Sequence, residues 1–249
     1  MKKFQIYKYY SNPEIVSELV KSSKDREIAG AYSDGSYDIR PNIIQYPDDV
    51  LQMIKKGITS FHLSVERWKN PMQLTVDNTT KYNEIRSGWD FIIDIDSKTG
   101  VEEAQLAAVL ICEFLGKYGI KNYGIKFSGR RGFHICLPWE MFPEELDYKR
   151  TEVLYPKIPK ILSRFVRSRI SEQLLKALLE RKSVKELIDV IEEPPEKLSP
   201  FYFVEIEKDW GSRHMFRAPY SLNEKSWLAS IPLSFSDLKS FSVESAKPE

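Results

Sequence analysis

"FIIDID", residues 91–96, follows Trp89-Asp90 and runs out into Ser97-Lys98-Thr99-Gly100. An apolar run that finishes in two aspartates reads as a buried strand surfacing at the edge of a sheet. Side chains on a strand alternate between faces, so Asp94 and Asp96 point the same way. Two like charges that close repel each other unless a cation stands between them. Oxygen ligands gathered at a strand end suit hard divalent cations.

Outward from this strand, "VEEAQLAAVLICEFLGKYG" predicts an acid-led helix with apolar spacing of three and four and a glycine at its end. "NYGIKFSG" and "GFHICLPW" predict short strands flanking the loop "SGRRG", and "TSFHLSVERW" alternates as a single strand does. Near the N-terminus, "NPEIVSELVKSS" carries Asn12 and Pro13 as cap and first-turn residue of a helix. "SYDIRPNIIQY" reads as extended, and "PDDVLQMIKKG" as a short helix stopped by Gly57. From about 144 to 190 the pattern turns helical and basic, and the Pro-rich "EEPPEKLSP" breaks it. "FYFVEIE" and "HMFRAPYS" then read as strands, and "SFSDLKSFS" as a last short helix. Strands on both sides of a helical insert, spanning about 145–193, predict one α+β catalytic domain over 1–249. Residues 200–249 return to its core.

Composition bounds the function. The chain has 249 residues, 42% apolar and 29% charged, as an ordinary globular protein has. The most apolar run, Leu106–Leu115, is interrupted by Glu113 and is too short to span a bilayer. The start "MKKFQIYKYYSNPEI" lacks the features of a secretory signal, and Cys112 and Cys136 form neither a disulfide framework nor a zinc spacing. An intracellular location is expected, with no membrane partner. Net charge is +1, yet Lys149–Lys185 holds eleven Lys/Arg against three acids. That stretch is either the solvated face of helices or a surface that tracks phosphates.

Three constellations carry chemistry. The first is Asp94 with Asp96; two or three carboxylates holding two Mg²⁺ or Mn²⁺ ions make a site for in-line phosphoryl or nucleotidyl transfer. The second is "KFSGRRGFHI", 126–135, where Gly129 and Gly132 permit a tight turn while Ser128, Arg130, Arg131 and His134 offer donors that match a triphosphate. No Gly-Lys-Ser/Thr follows, so this is not a Walker A loop. The third is "VEIEKDWGSRHMFRAPYSLNEKS", where Glu205 and Glu207 alternate on a strand and either could be a further metal ligand. In isolation each also reads as a loop start, an exposed turn or surface charge.

Together the three resemble the archaeo-eukaryotic primases, specifically the small catalytic subunit of archaeal and eukaryotic DNA primase. Asp94 and Asp96 match that family's Asp-x-Asp after an apolar strand; Ser128, Gly129, Gly132 and His134 match its Ser-Gly-x-x-Gly-x-His. "HMFRAPYSLN" is similar to its third segment, and nine residues before His214 stands Glu205. "REIAGAYSDGSYDIR" is similar to its Arg-Glu-Phe and Ile-Arg segments, giving Arg26 and Arg40. The resemblance implies the archaeo-eukaryotic primase fold: central mixed β-sheets, an RRM-like catalytic core, flanking helices and a helical insert. It implies that Asp94, Asp96 and Glu205 hold two divalent ions. Ser128, Arg131, His134 and Arg217 would grip an incoming triphosphate, with Arg130 and Arg40 nearby and Asn223 where the family has a histidine. The partners implied are a single-stranded DNA template and NTPs or dNTPs; a large primase subunit stays open. A catalytically degenerate primase-like subunit and a metal-dependent nuclease are the rival readings.

Overall fold

The computed structural model describes residues 1–74, 81–189 and 198–248. The chain opens with α1 (Lys3–Tyr10), α2 (Pro13–Ser23), β1 (Ile28–Ala31), α3 (Pro47–Lys55), β2 (Ser60–Ser64) and β3 (Glu66–Trp68). It continues through α4 (Tyr82–Ile85), β4 (Arg86–Trp89), β5 (Phe91–Ser97), α5 (Val101–Lys117), β6 (Gly124–Phe127) and β7 (Phe133–Leu137). After β8 (Glu145–Leu146) and β9 (Lys149–Arg150) come α6 (Lys157–Arg181) and α7 (Val184–Ile188). β10 (Val204–Ile206), β11 (Met215–Arg217), β12 (Pro232–Leu233) and α8 (Phe235–Lys239) close it.

The strand expected at 91–96 is β5, second in a five-stranded sheet of order β10-β5-β7-β6-β12. A second sheet, β1-β2-β11, supplies the opposite wall of a cleft: the Phe216 ring lies 6.2 Å from that of His134. The α+β class holds, but the sheets are antiparallel rather than mixed. The reason is topological. β5-α5-β6 would pair as parallel neighbours, and the hairpin return strand β7 inserts between them, so each contact is antiparallel.

Alternation along β5 sorts its two faces. Phe91, Ile93 and Ile95 are buried, as is the stripe Ala104, Ala107, Ala108, Ile111, Cys112 and Leu115 of α5, which packs on β5. The carboxylates keep the other face. α6 packs on α5 with Val166, Ile170, Leu174 and Leu178, while Lys157, Arg164, Arg169 and Lys176 of the same helix are exposed. Much of the basic stretch is therefore the solvent face of α6, while Arg167 donates to Ile206 O and covers the Phe201 ring and Lys182 pairs with Glu103. The helical insert begins otherwise than expected: Asp147 and Tyr148 adopt positive φ and turn β8 into β9 before the helix starts at Lys157. Most of "EEPPEKLSP" lies outside the described residues.

Three further differences have local causes. The single strand expected over 59–68 is two, because Ser64 Oγ donates to Glu66 O and accepts from Glu27 N at 3.0 Å, bending the chain out of the sheet. Glu66 turns inward to Arg86, whose Nη2 is 2.7 Å away. The "SYDIRPNIIQY" segment makes only bridges, at Tyr37 and Asn42, since Pro41 has no N–H to continue a ladder. Helix α1 was not expected at all. Its buried Tyr10 donates to Thr59 O at 3.0 Å, and Tyr9 to Tyr220 O at 2.7 Å.

Buried carboxylates tie these elements together. Glu27 is fully buried and accepts from Arg40 Nε and Nη2, both at 2.9 Å, and from Arg213 Nε at 3.0 Å. Asp90 accepts from Arg26, from Arg67 at 2.7 Å and from Trp139 N at 2.9 Å. Removing such an anion strands its guanidinium partners. Glu27→Ala should lower unfolding free energy by about 3 kcal/mol or more, and Glu27→Gln by less, as measured by denaturant unfolding.

Candidate active site

Strand register builds the site. Glu205 on β10 lies directly across from Asp96 on β5, and His134 on β7 lies across from Asp94, with Lys126 on β6 next in the row. Residues directly opposed on neighbouring strands share a face. One face therefore gathers three carboxylates from two strands, then a histidine and a lysine.

The loop between β6 and β7 is fixed to this face. Ser128 N donates to Gly132 O at 2.9 Å, and Gly129 takes φ +97°, a conformation open to glycine. A Cβ at Gly132 would stand 2.0 Å from the Ile95 carbonyl oxygen, between the two aspartates in sequence. The loop can lie against β5 only because that position has no side chain.

A cavity of 310 Å³ opens between the sheets. Every site residue expected from sequence lines it except Glu205 and Arg40. Glu205 is exposed beside Asp96 at the rim. Arg40, expected near a triphosphate, is instead committed to Glu27, because a fully buried carboxylate needs its cations. Arg26 is likewise bound to Asp90. Six lining residues are not marked out by the sequence: Tyr37, His62, Met215, Phe216, Glu224 and Lys225. His62 had a local signal, the alternation of "SFHLS".

Within the cavity, Arg131 Nη2 lies 3.2 Å from Asp96 Oδ2, and His134 Nε2 lies 3.2 Å from Asp94 Oδ1. Arg217 donates to Ser60 Oγ and, at 2.9 Å, to Leu222 O, while its other nitrogen meets Glu224 at 2.9 Å. Asn223 Oδ1 accepts from Lys225 N at 2.9 Å and Ser226 N at 3.0 Å, so only its amide N–H groups remain to donate into the cleft. Burial pushes the Asp94 carboxyl up, but His134 and Lys126 outweigh that and hold it below its ordinary value. Burial, then the Lys126 charge, lowers His134. A neutral ring donating to Asp94 leaves Nδ1 buried without a partner.

Do these residues fit a metal? Among the described residues no three Asp, Glu, His or Cys side chains are drawn into a cage, since Asp94 faces His134 and Asp96 faces Arg131. The donor set itself is three carboxylates on one face, with the Asp94 and Asp96 side chains 39% and 51% exposed. All-oxygen, accessible ligands fit hard divalent cations.

Lys126 lies under the cleft, 8% exposed, donating to Ser230 Oγ at 2.8 Å with Nζ 5.8 Å from the Phe216 ring centre. Burial, followed by repulsion from Arg217, pushes its pKa down from 10.5 to about 7, with Asp94 pulling the other way. Between those values the unfolded chain binds more protons than the folded one, so stability rises with pH across that window. Lys126→Met lacks this slope. Its stability relative to the native chain should be greatest below pH 7 and should fall toward pH 10. Denaturant unfolding at about pH 6, 8 and 9.5 checks this; a difference that stays flat with pH would contradict it.

The chain is similar to known proteins. A stretch of 58 residues is 40% identical to an uncharacterized protein of Methanocaldococcus jannaschii; it covers 23% of this chain and 13% of that one, so the chain spans only a small part of this relative. By structure, the chain is similar to the polymerase domain of Mycobacterium tuberculosis ligase D, solved in complex with DNA. The TM-score is 0.62 over 98% of this chain and 87% of that one, at 16% identity, a likeness of fold. The DNA primase small subunit family matches residues 93–235, more than half the chain. That span begins within β5 and runs past β12, enclosing the carboxylate strands and the loop between them, and by it this chain belongs to the DNA primase small subunit family.

Proposed function

We propose that the chain is a DNA-directed primase or primase-polymerase, joining NTPs or dNTPs along a single-stranded DNA template. The observation that carries this is the register that sets Glu205 across from Asp96, on the face where Asp94 meets His134, beside a cavity lined by Arg130, Arg131, Arg217 and Lys225. Family membership and the shared fold support it. β10 and β11 complete the two sheets from the C-terminal part, so we read 1–249 as one catalytic domain.

Asp94, Asp96 and Glu205 would hold two divalent ions, Mg²⁺ or Mn²⁺. When bound, such ions supply a more acidic 3′-hydroxyl and neutralise charge on the departing pyrophosphate. The protein's own groups do the positioning. His134 orients Asp94 through Nε2. Arg131 and Arg217 present guanidinium forks to the triphosphate, and Ser128 and Asn223 add neutral donors. Ser60 and the Leu222 carbonyl hold the Arg217 fork at a fixed angle to the cleft. The 3′-oxygen bonds to the α-phosphorus as the bond to pyrophosphate breaks. The exposed basic face of α6 is a candidate surface for the template backbone.

Incubation with single-stranded template, each nucleotide type and Mg²⁺ or Mn²⁺ should yield primers or extension products and release pyrophosphate. Asp94→Ala and Asp96→Ala should abolish both. Arg131→Ala should chiefly raise KM, because phosphate contacts act in ground and transition states alike. Products that survive both aspartate substitutions would overturn the assignment, and phosphodiester cleavage without pyrophosphate release would replace it with a nuclease.

A further inference from the structure

Glu224 is a third acid in the cavity that Asp94 and Asp96 line, and it stands at Arg217 rather than on the carboxylate face of β5. It lines the same wall as Arg217, and the two side chains are 12% and 10% exposed. The separation is 2.9 Å, yet Glu224 Oε2 is buried without an aligned hydrogen bond, so charge alone holds the pair. The other Arg217 contacts, Ser60 Oγ and Leu222 O, are neutral and belong to the framework. Arg217 therefore keeps its position without Glu224. What Glu224 supplies is the negative charge that a buried guanidinium requires.

Its mounting is independent of that charge. Asn223 Oδ1 accepts from Lys225 N and Ser226 N, Trp227 N donates to Asn223 O at 2.9 Å, and Ser226 Oγ donates to the Gly129 carbonyl. The turn is thus clamped to the Ser128–Gly132 loop by backbone and neutral groups. The Glu224 side chain, with its rotatable bonds, is the movable part.

We propose that the Glu224 carboxylate occupies a phosphate subsite at Arg217 and is displaced when a polyphosphate binds, so that it sets the affinity of the site. This rests on the reading of the cavity as a triphosphate site. An incoming phosphate offers Arg217 more charge and a better-matched fork than a carboxylate held by charge alone. Until it leaves, Glu224 both blocks that fork and repels the ligand. Its presence keeps triphosphate, and the pyrophosphate product, from binding too tightly to be exchanged.

The test is calorimetric titration of inorganic tripolyphosphate into the metal-free 249-residue chain. Glu224→Gln should bind about five- to tenfold more tightly than the native chain, with Glu224→Asp in between. In an Arg217→Ala background, Glu224→Gln should relieve only like-charge repulsion and give a smaller gain than in the native background. In steady-state assays the KM for nucleotide should fall while kcat does not rise. A merely structural loss would weaken binding, so tightening is specific to the proposed role. Equal or weaker binding in both Glu224 variants, at unchanged melting temperature, would overturn it. Tripolyphosphate binding that Arg217→Ala leaves unaffected would instead overturn the cavity reading beneath it.

Discussion

The register of β5 against its two neighbours is the constraint on which the site depends. Because side chains alternate, a slip of one residue would turn Asp94 and Asp96 into the α5 interface and bring Ile93 and Ile95 into the cleft. Several groups forbid that slip together. Ile93 and Ile95 are buried, and Gly132 lies so near the Ile95 carbonyl that only one alignment admits the loop. The interaction that positions the loop is thus the one that positions the carboxylates. Site geometry and fold stability cannot vary separately along this strand.

Charges elsewhere divide into two kinds. Glu27, Glu66 and Asp90 are almost fully buried and saturated by arginines or backbone N–H groups, as the low-dielectric interior demands. Asp94 and Asp96 are partly exposed, and each meets a single cationic or imidazole partner at 3.2 Å. Saturated pairs fix the frame, while half-met pairs leave capacity for a ligand. The same contrast separates Arg40, gripped by Glu27 at both ends of its fork, from Arg217, whose charge among the described residues is met only by Glu224.

This contrast explains what the sequence could and could not disclose. Apolar periodicity and the Asp-x-Asp spacing exposed β5 and α5, because both are set by burial on one face. The Ser-Gly-x-x-Gly-x-His stretch disclosed its loop, because the glycines answer backbone demands that any homologous turn would share. Arg40 and Arg131 are chemically identical in sequence, and only tertiary contact tells which one a buried glutamate has claimed. The break between β2 and β3 turns on one serine hydroxyl and on Glu66 finding Arg86, neither of which has a periodic signature. Glu224 stands beside the expected Asn223 without a signature of its own, since nothing local marks an acid as facing an arginine seven residues earlier.

The floor of the cleft shows why arginine rather than lysine or histidine carries its positive charge. His62 and His134 are lowered by burial first, and then by the cations Arg217 and Lys126 in the one case and Lys126 in the other. Lys126 is lowered by burial and then by Arg217. Each cationic form disfavours the others, so this floor holds less charge than its composition suggests. A guanidinium keeps its proton under such conditions, and its planar fork matches phosphate oxygens. On the proposed reading, binding an anion there would fall to Arg131 and Arg217, with Arg130 and Lys225 toward solvent, while the buried bases below tune the carboxylate across from them. Placing weak bases beneath and arginines around the opening lets the cleft carry positive charge without burying several full charges side by side.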